Sequence, residues 1–180
     1  MRTKIVTIAA ASLFSMPALA DQKIGDSYLG LQYAQTSYED DNGVEAEPSA
    51  AVGRLGHFVT DNFAIEGRAG FGISEDEASY YGSNTNVNVE IDSLLGVYGV
   101  GHLPISETVS AYALAGFTSG EATASNAAGS VSGDDSGFSY GIGGELSFTP
   151  RVSATLEYMS YLDKSDYQIS AISAGLNFSI

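Results

Sequence analysis

The groups able to do chemistry in this 180-residue chain fall into three sets. The first is a pair of histidines, His57 and His102. Hydrolytic catalysis needs a nucleophile beside an oriented base. No pair of the chain's many carboxylates brings a base-orienting partner that the sequence reveals. With no cysteine, a disulfide framework and a cysteine-ligated metal are excluded as well. No enzymatic activity and no cofactor are expected. The second set is acidic. Glu39, Asp40, Asp41, Glu45 and Glu47 form one cluster, and Glu75, Asp76 and Glu77 a second. Glu121, Asp134 and Asp135 form a third, and Asp163 and Asp166 flank Lys164. Clustered oxygens suit Ca²⁺ or Mg²⁺, which makes Glu39, Asp40, Asp41, Asp134 and Asp135 the candidate metal ligands. The spacing is not that of an ordered calcium loop, and a solvated acidic rim is the simpler reading. The third set is Arg54, Glu66, Arg68, Glu145 and Glu157, charges placed singly inside segments that are otherwise apolar and small.

Those segments alternate with a period of two, the signature of strands between two different media. Eight are predicted, at residues 27–38, 49–59, 63–73, 86–103, 109–120, 137–148, 152–161 and 167–180. The third sets Phe63, Ile65, Ala69 and Phe71 against Glu66, Arg68, Gly70 and Gly72. The fourth sets Val87, Val89 and Ile91 against Asn88, Glu90 and Asp92. The fifth is apolar on both faces, which leaves its phase open. Connections alternate in length. Residues 60–62, 104–108 and 149–151 are short turns, whereas 39–48, 74–85 and 121–136 are long loops, the last Gly/Ser-rich and read as mobile. Strands of ten or so residues, with short turns at one end and long loops at the other, are the layout of an outer-membrane barrel. A soluble sandwich would show it only by accident.

The N-terminus agrees. Arg2 and Lys4 precede an apolar run at residues 5–16, and the segment closes on Ala18-Leu19-Ala20. That is a charged region, a short apolar region and an A-x-A cleavage site. The run is too short to span a bilayer. Cleavage after Ala20 leaves 160 residues at 21–180, one domain. It removes two basic residues and no acids, moving the formal net charge from −15 to −17. Such a charge argues against nucleic acid as a partner, because phosphates are repelled. It also disfavours adhesion to sulfated polymers. Twenty-one glycines and eleven tyrosines suit strands that pack small residues inside a barrel and set aromatics at its interfaces.

The leader, the alternation, the segment RLGHFVTDNFAIEGRAG and the terminal strand ISAGLNFSI together resemble the small eight-stranded outer-membrane barrels. These are the opacity-type, OmpX/Ail-type and OmpA transmembrane-domain families. The resemblance covers the whole chain after the leader. It implies an all-β fold, an eight-stranded antiparallel up-and-down transmembrane β-barrel, in the outer membrane of a Gram-negative cell. It also implies, as partners, outer-membrane lipid and lipopolysaccharide, the barrel-assembly machinery and a surface ligand of unknown identity, with the chain a monomer. The role expected is structural or surface-interacting; a narrow porin-like channel and an outer-leaflet enzyme are the alternatives. Two departures stand out. No peptidoglycan-binding domain is expected after the barrel. Such barrels usually end on Phe or Trp, the residue the assembly machinery reads, whereas this chain ends Phe178-Ser179-Ile180. Phe178 and Ile180 are therefore assigned as the assembly signal.

Lipid fixes where the third set of charges must point. A charge facing lipid at mid-membrane costs a few kcal/mol, so Arg54, Glu66, Arg68, Glu145 and Glu157 are expected inside. Pairing across residues 60–62 sets Arg54 opposite Arg68, with Glu66 on the diagonal, Leu55 opposite Gly67 and Val59 opposite Phe63. Glu90 and Asp92 share the interior phase. An eight-stranded barrel is just wide enough for its own side chains, and isolated buried charges are costly. The expectation is a polar plug in which the two arginines compensate Glu66, Glu145 and Glu157, rather than an ion path. Both histidines fall beside short turns, with His57 on the lipid-facing phase as an interfacial ring with a wet tip.

Overall fold

The computed structural model describes residues 24–40, 44–80, 83–127, 129–163 and 167–180. The leader at 1–20 lies outside these, as do Asp41, Lys164 and Asp166. Ten strands occur among the described residues: β1 Ser27–Asp40, β2 Val44–Ala46, β3 Ser49–Thr60, β4 Phe63–Ser74, β5 Asp76–Tyr80, β6 Ser83–Pro104, β7 Val109–Asn126, β8 Gly129–Thr149, β9 Val152–Asp163 and β10 Tyr167–Ser179. Eight of them form an antiparallel ring, β1–β3–β4–β6–β7–β8–β9–β10. β10 closes it on β1, from Tyr28 opposite Ser179 to Asp40 opposite Tyr167. Closure removes every sheet edge, a requirement in lipid, where unpaired backbone groups find no water.

Which side faces lipid follows from burial. Leu31, Leu55, Ile65, Leu95, Val97, Phe117, Ile142 and Leu156 are exposed on the outside, while Gln32, Arg54, Glu66, Arg68, Ser139 and Glu157 are buried inside. A soluble sheet does the reverse, burying its apolar face on the core. The strand of undetermined phase is settled as well: Tyr112, Leu114 and Thr118 of β7 point inward and Ala113, Ala115 and Phe117 outward. The second and third strands of the ring, β3 and β4, pair as expected at Arg54/Arg68 and Leu55/Gly67. A bulge next to the turn, however, places Thr60 rather than Val59 opposite Phe63.

The long-loop end differs most from expectation. Within residues 121–136, read as a mobile loop, 121–126 and 129–136 are the continuation of β7 and β8 as a ladder running out to Asn126 opposite Gly129. Thr123 ties it across strands, donating to Asp92 Oδ2 at 2.7 Å and sharing a 2.7 Å bond with Ser132 Oγ. Where β3 and β4 stop, β2 and β5 take their places. β2 pairs with β1 and β5, and β5 with β6. The wall thus rises past the ends of β3 and β4 as an extension of the barrel. β6 carries a bulge between Ile91 and Ser93. A bulge inserts one residue, so the residues on its far side face the other way. Above it Val87, Val89 and Ile91 line the interior and Glu90 and Asp92 are exposed. The interior placement expected for Glu90 and Asp92 is therefore corrected: in the extension the outside is water, not lipid.

Candidate functional site

The middle of the lumen is closed by side chains from several strands. Arg54 on β3 sits directly opposite Arg68 on β4, a like-charge pair that would repel if left alone. Glu66, two residues before Arg68 and so on the same face, lies between them. Its Oε2 accepts from Arg54 Nη2 at 2.7 Å and Nε at 3.0 Å, and its Oε1 from Arg68 Nε at 2.6 Å. Arg68 then reaches across the lumen to Glu157 of β9. Its Nη1 and Nη2 donate to the two carboxylate oxygens at 2.6 and 2.8 Å. This forked geometry adds direction as well as strength to the pair. All four side chains are shielded from solvent, and two cations meet two anions.

Tyrosines complete the plug. The Tyr28 hydroxyl donates to Glu66 Oε2, and the Tyr112 hydroxyl to Glu157 Oε2 at 3.0 Å. The Arg68 guanidinium lies 4.9 Å from the centre of the Tyr98 ring, and that of Arg54 lies 5.8 and 5.6 Å from those of Tyr28 and Tyr112. Space for these rings comes from glycine. Tyr28 pairs across the sheet with Gly56, Tyr98 with Gly116 and Tyr112 with Gly143. A Cβ on any of the three glycines would collide with its tyrosine. The tyrosines were missed in the sequence. An inward tyrosine opposite an inward glycine is the signal that could have found them.

Glu145 does not join this set. It stands two residues nearer the short turn than Gly143, the residue opposite Glu157. There it accepts from Asn177 Nδ2 at 3.0 Å and lines a cavity of about 280 Å³ at the short-turn mouth, with Ser153, His102 and Phe58. The expectation that Arg54 and Arg68 compensate Glu145 is corrected: the arginines are already engaged one layer deeper. His102 faces inward, its ring 5.0 Å from that of Phe58 and 5.5 Å from that of Tyr112, an aromatic floor beneath the plug. His57 faces out, its Nδ1 bonded to Ser27 Oγ at 2.9 Å. The two rings are thus on opposite sides of the wall.

Above the plug lies a layer of hydroxyls. Tyr98 and Thr118 bond at 2.5 Å, Thr118 and Ser139 at 2.6 Å, and Ser139 donates to the Tyr161 carbonyl at 2.7 Å. Over it opens a cavity of about 540 Å³ inside the extension. Among the candidate metal ligands, Glu39 is exposed on β1 opposite Gln168, and Asp40 pairs with Tyr167. Asp134 pairs with Glu121 and Asp135 with Gly120. Consecutive strand residues point to opposite faces, so Asp134 and Asp135 cannot chelate one ion together. Among the described residues no group of three or more His, Asp or Glu side chains could hold a metal. At the terminal strand Phe178 faces outward, opposite Leu29 and Val152, and the Ile180 N–H donates to the Ser27 carbonyl at 2.8 Å.

Known proteins share this architecture. The family model described as the outer membrane protein beta-barrel domain matches residues 6–179. Among solved structures, Ail, the attachment invasion locus protein of Yersinia pestis, in complex with the heparin analogue sucrose octasulfate, superposes with a TM-score of 0.64 at 20% identity, covering 87% of this chain and 99% of Ail. Neisserial surface protein A gives 0.66 at 15% identity, covering 86% and 97%. OprG of Pseudomonas aeruginosa gives 0.60 at 10% identity, covering 89% and 98%. At these identities the likeness is one of fold. No match among curated proteins reaches significance.

Proposed function

The chain belongs to the outer membrane protein β-barrel domain family, and we propose that within it this protein is a non-conducting, non-enzymatic barrel that acts at its extracellular rim. Its location is the outer membrane. The leader at residues 1–20 is read as its export signal, and Phe178 and Ile180 as what the assembly machinery recognises.

The observation that carries the proposal is the Arg54–Glu66–Arg68–Glu157 set spanning the lumen. An ion crossing at this level would have to separate a buried ion pair, which costs several kcal/mol. Against an enzyme stands the placement of the histidines. His57 points to the membrane interface and His102 into an aromatic floor at the short-turn mouth, so neither can serve as the base for a substrate in the outer leaflet. The rim carries Glu39, Glu45, Glu121 and Asp134. Such a rim favours cationic partners, or lipopolysaccharide phosphates bridged by divalent cations. Ail was crystallised with a sulfated ligand; the acidic rim argues against that class of ligand here.

Single-channel recording in planar bilayers tests the proposal. The folded protein is expected to stay silent. Stable, reproducible openings in the unmodified chain would overturn it and favour a narrow channel.

A further inference from the structure

We propose that the extracellular extension holds a binding site for a small cationic amphiphile, a molecule with an apolar body and an ammonium end. The cavity of about 540 Å³ above the hydroxyl layer falls within the roughly 300–1,000 Å³ typical of small-molecule sites. Leu94, Thr118 and Tyr161 form its floor, and Val87, Val89 and Ile91 of β6 its most apolar wall. The β6 bulge puts them there. Without it Asn88 and Glu90 would line the space and the valines would meet water. A packed interior leaves few voids of this size. Here the adjoining wall is kept short by Gly120, Ala122 and Ala124 of β7 and Gly133 of β8. The result is apolar surface held open toward water, whose coverage by an apolar group is favourable.

Charge selects the rest of the ligand. Asp135 is on the inward phase of β8, half-buried in the cavity wall, where its Oδ1 accepts from the Ser136 N–H at 2.7 Å. Glu121 and Asp134 stand at the same level on the outer face. The whole chain carries a formal net charge of −15. An anionic headgroup would be repelled at this mouth and an ammonium attracted. Asp135 can keep its bond to Ser136 and still accept from a second donor, since a carboxylate has about four acceptor sites. The cavity is independent of the plug below it, and a conducting barrel would still possess it.

The test is methyl NMR of the chain in lipid nanodiscs with three matched probes, 4-phenylbutylamine, 4-phenylbutanol and 4-phenylbutyrate. The amine is expected to give saturable shifts at the methyls of Val87, Val89 and Ile91 and none at lipid-facing Val97. The alcohol should bind more weakly and the carboxylate weakest. A Cβ on Gly133 meets nothing within 4 Å, so Gly133→Leu fills the space and should weaken amine binding by about tenfold. Ala122→Phe does the same from β7 should that variant fail to show the folded gel mobility. Asp135→Asn should narrow the gap between amine and alcohol to within about threefold. Absence of saturable shifts at the three methyls, equal shifts at Val97, or carboxylate binding as tight as the amine would each overturn the proposal.

Discussion

Val97 and Val89 lie on the same strand and point in opposite directions through the wall. Val97 faces lipid, and Val89 faces the cavity of the extension. The bulge between Ile91 and Ser93 separates them. Below it the barrel is polar inside and apolar outside; above it β6 is apolar inside and acidic outside. The same residue type obeys the same rule in both places, which is to leave water. In the belt the exit from water is outward, into hydrocarbon, and the charges must find one another inside. In the extension the outside is aqueous, so the exit is inward. A strand that crosses from one medium to the other has to change phase, and one inserted residue is the least disruptive way to do it.

The largest effect should come from breaking the belt's interior. Arg68→Ala leaves Glu157 without its forked partner and Glu66 with one arginine, a loss of about 3–5 kcal/mol. It should lower the thermal midpoint in detergent and the folded band on a heat-modifiability gel. An unchanged midpoint would show that the plug adds nothing to stability. The double change Arg68→Leu with Glu157→Leu removes both charges and should recover much of that loss, since apolar replacement of a buried pair is often neutral. Next comes the outer face. Val97→Arg puts a charge into lipid and should cost about 2–4 kcal/mol, read from reversible unfolding in lipid vesicles. On the same strand's outer face above the bulge, Glu90→Leu should shift stability by no more than about 0.5 kcal/mol. A cost for Glu90→Leu as large as that for Val97→Arg would erase the distinction between the two regions. The smallest effect concerns assembly rather than stability. Phe178→Ala should reduce the yield of folded barrel in vivo more than Ile180→Ala, because Phe178 sits on the outer wall paired with both β1 and β9 whereas Ile180 lies one residue past β10. Equal yields would remove Phe178 as the signal.

Much of the belt was readable from the residues alone. Strand ends at the short turns agree with the structure to within a residue, at Thr60 and Phe63, Pro104 and Val109, and Thr149 and Val152. Alternation is enforced there by two immiscible media and cannot slip without turning charges into lipid. At the far end alternation carries no such penalty. Residues 121–136, small and polar, read as a loop because composition does not reveal that their backbone groups pair with each other. The candidate site divides in the same way. Arg54, Glu66, Arg68 and Glu157 could be placed inside from phase, but Glu145 could not be assigned to its own layer. Neither could His102 be found among Tyr28, Phe58 and Tyr112, because depth along the lumen depends on the stagger between strands distant in sequence.

By itself, the sequence determined the number of strands in the ring, the lipid face of those whose alternation is clear through the belt, and the sign of the rim, since each follows from local period and charge. Tertiary structure decided which acid meets which base, which glycine yields to which tyrosine, and where β6 reverses its facing. Those outcomes rest on register between strands and on a single inserted residue, and neither leaves a mark in the composition of one segment read alone.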